Sequence, residues 1–169
     1  TWHAAGLVSQ LGPSAGITKI RKYTLDLYKE LEKKVDHSAG LRLNGALSIA
    51  ENQGRWEELK RQATTAQLYD VDVKIFDKEN VKKKFPIVNT EDVIGGIFMT
   101  GDGAADPSGV THMLAKAAKL EGAKIFEKSP VEKILIKNKR IEGVRVNGTD
   151  IDCEYVVLAS GMWSRQIGK

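Results

Sequence analysis

EGAKIFEKSPVEKILIKNKRIEGVRVNGTDIDCEYVVLASG, Glu121–Gly161, is the stretch whose reading decides the fold. Gly122 closes a helix predicted over Pro107–Glu121, with proline at its first position and Val110, Leu114, Ala117 and Ala118 on its apolar side. Ala123–Phe126 then reads as a strand, and a helix feeding a strand is the step from which parallel α/β sheets are built. The pattern changes after that. Val131–Ile136 alternates, Lys137–Lys139 turns, Ile141–Val146 alternates again, and Asn147-Gly148 is a strong hairpin signal ahead of a strand over Thr149–Asp152. Tyr155–Leu158 is an apolar run of buried-strand length, and it ends in Ala159-Ser160-Gly161.

Upstream, Ile17–Val35 predicts an amphipathic helix with Ile20, Leu27, Leu31 and Val35 on its stripe and Thr18 as N-cap. Gly45–Ala50 suits a strand, and a second helix from Arg55 to Tyr69 carries Trp56, Leu59, Ala63, Ala66 and Leu68. Val73–Phe76 is another strand, and Asp77 caps a short basic helix that Phe85-Pro86 terminates. Gly95–Thr100 is a strand leading into the loop GDGAADP, Gly101–Pro107, where Asp102 reads as a turn residue and Asp106 as a helix cap.

A chain of 169 residues with 41% apolar content has the material for a real core, which excludes a disordered segment. No apolar run approaches the roughly 18 residues of a membrane span, and the first residues lack the order of a signal peptide. The charge of +4 is dispersed, and its dense runs, Lys33-Lys34 and Lys82–Lys84, fall on helices without interleaved aromatics. They read as solvated faces, so no nucleic-acid partner is expected. A single cysteine, Cys153, excludes an internal disulfide and a multi-cysteine metal site and reads as a small core residue; no metal is expected. His37 ends a helix and His112 lies within one, and neither has a ligand partner nearby in sequence. Apolar Trp2, Leu7 and Val8 at the opening and Val156–Leu158 near the close predict an internal piece of a larger protein.

TWHAAGL (Thr1–Leu7), NGALSIA (Asn44–Ala50), Phe85-Pro86, GDGAADP, EGAKIFEKSPVEKI (Glu121–Ile134) and VVLASGMWSRQIG (Val156–Gly168) form an ordered set. In order and spacing the whole chain resembles the sarcosine dehydrogenase and dimethylglycine dehydrogenase family of FAD-dependent, D-amino-acid-oxidase-like proteins. The resemblance implies an α/β to α+β fold, with a partial FAD-binding domain of glutathione-reductase-like type plus a substrate-domain sheet with helices. The meander would lie between two strands of the dinucleotide sheet. Residues 1–100 would be mainly substrate-side, with an FAD-proximal start at 1–7, and residues 101–169 part of the FAD-binding domain. No Gly-x-Gly-x-x-Gly follows a strand, since Asp106 takes the third glycine position after Gly101 and Gly103. The family carries that loop upstream of TWH, and further flavin and substrate residues downstream.

The resemblance also implies site residues. His3 matches the histidine bound covalently to the flavin 8α-methyl. Ala159, Ser160 and Gly161 would lie against the flavin, with Ser160 where the family usually has alanine or cysteine. Val131 matches a main-chain contact to the adenine, and Trp163 would pack near the ring. At Ala104 the chain departs from the pattern: dimethylglycine dehydrogenases resemble DG-His-x-DP there, so no substrate-pocket histidine is carried over. No catalytic residue is assigned.

The implied activity of the larger protein is oxidation of the N-methyl group of sarcosine or dimethylglycine, with hydride passing to flavin N5. The iminium would yield formaldehyde or be captured by tetrahydrofolate, and electrons would pass to an electron-transfer flavoprotein or to oxygen. Two other readings stand beside it: a non-catalytic relative resembling the pyruvate dehydrogenase phosphatase regulatory subunit, and a generic FAD amino-acid oxidase with noncovalent flavin. The implied compartment is the bacterial cytoplasm or the mitochondrial matrix, with no membrane partner. The chain alone is expected to hold FAD poorly, and open sheet edges predict self-association.

Overall fold

The computed structural model describes Thr1 and residues 3–168; Trp2 of the opening motif and Lys169 lie outside the described residues. Contacts divide the chain into two units, Thr1–Ala123 and Lys124–Lys169.

In the first unit, helix α1 spans Ala15–Val35 and helix α4 spans Pro107–Leu120. The cap of α1 is Ser14, whose Oγ accepts from the Ile17 N–H at 3.4 Å, and not Thr18. Thr18 is instead buried one turn on, donating to the Ser14 carbonyl and accepting from the Gly12 N–H, each at 3.0 Å. The stripe is corrected with it. Thr18, Leu25 and Val35 are buried, while Ile20, about 200° round the helix from Thr18, is exposed. Tyr28 and Leu31 join Val35 and Ala39 against Met113 and Ala117 of α4, so the partner helix selects the face. Asp106 caps α4 as expected, accepting from the Ser108 and Gly109 N–H groups at 3.1 and 2.9 Å.

Strands β2 (Ala46–Ala50), β3 (Val73–Asp77) and β4 (Gly95–Met99) form an antiparallel sheet in the order β2-β4-β3. Helix α2, Gln53–Gln67, is capped by Asn52 and lays Leu59 and Ala63 on Ala50 and Ile97, flanked by Trp56 and Val73. Leu68, expected on that stripe, lies beyond the helix end and is exposed. Helix α3, Lys78–Lys84, is capped by Asp77 and ends at Phe85. The Phe98 ring stacks on Phe76 at 5.5 Å, with Lys84 Nζ 4.5 Å from its centroid. Gly45 faces the same ring at φ +88, where a Cβ would land among the ring atoms.

In the second unit, β6 (Val131–Lys137), β7 (Arg140–Val146) and β8 (Thr149–Asp152) form the expected antiparallel meander. Both turns have positive φ at their two central residues, Asn138-Lys139 and Asn147-Gly148, which matches the right-handed twist of the flanking strands. Arg145 and Asp150 form a bidentate pair across β7 and β8, at 2.6 and 2.8 Å. Gly161–Trp163 forms a 3₁₀ turn that runs into a short helix, α5, Ser164–Ile167, packed against β6.

Two expected strands are not formed. Ala123–Phe126 and Tyr155–Leu158 have no ladder partner among the described residues, and Phe126, Tyr155 and Val157 are 71%, 85% and 90% exposed. A run of strand composition becomes a strand only by exchanging hydrogen bonds with a neighbour. Cys153 is half-buried and not a core residue. No helix of the described residues is long and apolar enough to cross a membrane.

Gly45→Ala combines a left-handed φ with a clash into an aromatic ring. Its expected cost is about 2–4 kcal/mol, read as a lower denaturation midpoint.

Candidate functional site

The loop GDGAADP organises the first unit. Strand β5, Gly103–Ala104, pairs on one edge with β1, Leu7–Val8, in antiparallel register, Leu7 opposite Ala104 and Val8 opposite Gly103. On its other edge Ala104 exchanges two backbone bonds with Arg42, 2.8 Å from the Arg42 N–H and 3.1 Å from its own. A Cβ at position 103 would collide with the Arg42 carbonyl, so glycine permits this approach. Beyond β5 the Ala105 N–H donates to the Gly6 carbonyl at 2.8 Å.

Ahead of β5, Asp102 is buried, 1% exposed. Its Oδ1 accepts from the Gln10 N–H at 2.9 Å, and its carbonyl accepts from the Gly45 N–H at 2.8 Å. The expected turn residue is thus a clamp that joins three parts of the chain. Its Oδ2 is buried with no partner among the described residues. Burial pushes the carboxyl above its ordinary value of 3.8, against the pull of the Gln10 backbone and side-chain donors and of the Arg21 charge.

His3 stands exposed at the head of the clamped segment, in a turn closed by the Ala4 N–H on the Thr1 carbonyl at 2.9 Å. The remaining expected site residues lie in the second unit. Val131 begins β6 opposite Val146, and with Phe126, Ser129 and Ile151 these two line a cavity of about 250 Å³. Ala159 and Gly161 are exposed and Ser160 is half-buried; Gly161 has φ +56 and open space where a Cβ would stand. Trp163 is exposed on the 3₁₀ turn. Ala104 lies half-buried between Leu7 and Arg42. The histidines read separately in the sequence meet: His37 and His112 pack edge to face with centroids 6.2 Å apart. Among the described residues no three His, Cys, Asp or Glu side chains are grouped to hold a metal.

Sequence reading missed the Gln10–Asp102 clamp and the place of Arg42. An aspartate between two glycines has the same letters whether its loop is solvated or covered. The signal available was the crowding of Gly101, Gly103 and Gly45, which lets backbone segments approach one another.

The model of the family described as FAD dependent oxidoreductase (DAO) matches residues 1–169, and the chain belongs to this family. Human mitochondrial sarcosine dehydrogenase is 32% identical over 175 residues, covering 100% of this chain and 19% of that protein. Human mitochondrial dimethylglycine dehydrogenase is 29% identical, covering 100% and 20%. The chain therefore spans about a fifth of the length of these curated relatives, 19% and 20%. Among solved structures, L-proline dehydrogenase from P. horikoshii superposes with a TM-score of 0.87 at 27% identity, over 95% of this chain and 42% of that one. The fold is that of the FAD-dependent oxidoreductases.

The second unit's residues fit such a cofactor. Phe126, Val131, Val146 and Ile151 give the cavity apolar walls with one hydroxyl, Ser129, a chemistry suited to a flat heteroaromatic ring. The open backbone at Ala159–Gly161 leaves room for close approach.

The raised Asp102 value sets a sign for stability. The folded chain holds that proton more tightly than the unfolded chain, so the proton's stabilisation is full below pH 3.8 and is lost as pH rises through the raised value. Asp102→Asn keeps the shape and removes the titration. Between pH 4 and pH 7 the wild-type melting temperature is expected to lose an increment that the variant keeps, read by thermal unfolding at both pH values.

Proposed function

We infer that this chain is part of a flavoenzyme that oxidises the N-methyl group of sarcosine or dimethylglycine, with the flavin attached through His3. The observation that carries this reading is similarity over the full chain to sarcosine and dimethylglycine dehydrogenases, with His3 heading the segment that β5 holds. The chemistry FAD supplies when bound is acceptance of a hydride from the substrate N-methyl carbon.

The chain's own residues position. The β1–β5 ladder and the Asp102 clamp fix the backbone that leads from His3, so the imidazole is offered from a rigid support. Phe126, Val131, Val146 and Ile151 make an apolar bed for the adenine. Ala159, Ser160 and Gly161 give backbone access to the flavin, and Trp163 offers an aromatic wall beside it. Tetrahydrofolate as acceptor of the released carbon and an electron-transfer flavoprotein as electron acceptor complete this reading. The similarity to dehydrogenases supports the second of these.

The test uses the full-length protein, precipitated with acid and inspected for flavin fluorescence in the denatured band beside His3→Ala. Fluorescence in the wild-type band, absent from the variant, is expected, together with anaerobic bleaching of the flavin by sarcosine or dimethylglycine. Flavin found only in the supernatant would overturn the covalent link and favour a noncovalent oxidase. Colourless protein with no flavin in either fraction would overturn the enzyme reading and favour a non-catalytic binding protein.

A further inference from the structure

We propose that Asn147-Gly148, at the turn between β7 and β8, is a site of spontaneous deamidation through a cyclic imide, and that the Glu132 carboxylate sets its rate. The proposal concerns the backbone of the second unit and does not depend on the enzyme reading.

The sequence carries two Asn-Gly pairs, Asn44-Gly45 and Asn147-Gly148. In such a pair the glycine nitrogen can attack the asparagine side chain, because the glycine has no Cβ to stand in the way. At the second pair a bond forms between the Gly148 nitrogen and Asn147 Cγ while the Cγ–Nδ2 bond breaks. Nδ2 leaves as ammonia, taking the proton from the Gly148 nitrogen. Water then opens the imide ring. Opening at Cγ leaves aspartate, and opening at the main-chain carbonyl leaves isoaspartate, whose chain runs through the side-chain carbon.

The structure separates the two pairs. The Gly45 N–H is bonded to the Asp102 carbonyl at 2.8 Å, and Gly45 lies so close to the Phe98 ring that a Cβ would land among its atoms. Ring closure requires the backbone to turn, and there both main chain and aromatic ring oppose it. Around Gly148 a Cβ would meet no heavy atom within 4 Å beyond its chain neighbours, and Asn147, Gly148 and Thr149 are all exposed. The Gly148 N–H is held by a side chain instead: Glu132 Oε1 accepts it at 3.1 Å. Glu132 is exposed and sits at the register shift between Val131 and Lys133 of β6. A carboxylate that accepts an N–H favours the protonated amide, and its charge opposes the nitrogen anion that must form before attack. Glu132 therefore restrains the site, and a single exposed bond is a restraint that opens readily.

The modification falls on a turn that sets a register. Asn147 and Gly148, both at positive φ, connect Val146 to its partner Thr149, and isoaspartate adds a carbon to that connection. The Arg145–Asp150 pair and the cavity walls Val146 and Ile151 stand on the strands that this turn aligns.

The test incubates the full-length protein at neutral pH as wild type, Glu132→Ala and Glu132→Gln. It follows the tryptic peptide Val146–Arg165, in which Asn147 is the one side-chain amide. Change from amide to acid is read by mass, and isoaspartate by enzymatic methylation, with Asn44, located by peptide fragmentation, as internal control. Asn147 is expected to convert while Asn44 stays an amide. Conversion should be on the order of 10-fold faster in Glu132→Ala, and intermediate in Glu132→Gln, which keeps an acceptor and loses the charge. Hydrogen exchange passes through the same nitrogen anion, so in Glu132→Ala it should speed at the turn and stay unchanged along β6 and β7. Asn147 remaining an amide in all three proteins, or Asn44 converting as fast as Asn147, overturns the site. Equal rates in wild type and Glu132→Ala, or faster exchange along the whole ladder, overturn the role of Glu132.

Discussion

A buried carboxylate between two glycines is the constraint on which the first unit depends. Asp102 takes the Gln10 N–H on its side chain and the Gly45 N–H on its carbonyl, while the next residues pair with Leu7, Val8 and Arg42. Removing a carboxyl group from water is unfavourable, and here one of its oxygens finds no partner among the described residues. What the fold gains is convergence. The segment that leads from His3, the strand-like stretch at Arg42 and the entry to β2 all meet at one short loop.

The two units are held together internally by different forces. Among the described residues the buried apolar side chains all belong to Thr1–Ala123, and they include one cluster between α1 and α4 and another between α2 and the sheet. In Lys124–Lys169 the one buried residue among those described is Gly143. The meander keeps its order through ladder hydrogen bonds, two turns of matching twist and the Arg145–Asp150 pair. Three strands without a covered apolar face are marginal alone. Exposed Phe126, Tyr155 and Val157 accordingly remain apolar surface without ladder bonds.

Much of this was legible in the residues. The meander followed from period-two alternation and Asn147-Gly148, and α4 from Pro107 with Asp106 ahead of it, because these are local rules that need no partner. The errors fall where a distant partner decides. Thr18 carries a capping residue's side chain, but Ser14 is better placed to open the helix, and Ile20 looks like stripe until Met113 and Ala117 select another face. Ala123–Phe126 and Tyr155–Leu158 have strand composition and lack a neighbour to pair with.

The sequence by itself determined the elements with local causes: helix caps at Asp77 and Asp106, the turns of the meander, and the ordered motifs that mark an FAD-dependent oxidoreductase. Tertiary structure alone decided which carboxylate would be buried, and that Leu7 and Arg42 would both lie opposite Ala104. Those facts depend on contacts between residues tens of positions apart. Side-chain periodicity records which residues favour burial and leaves open which of them will meet.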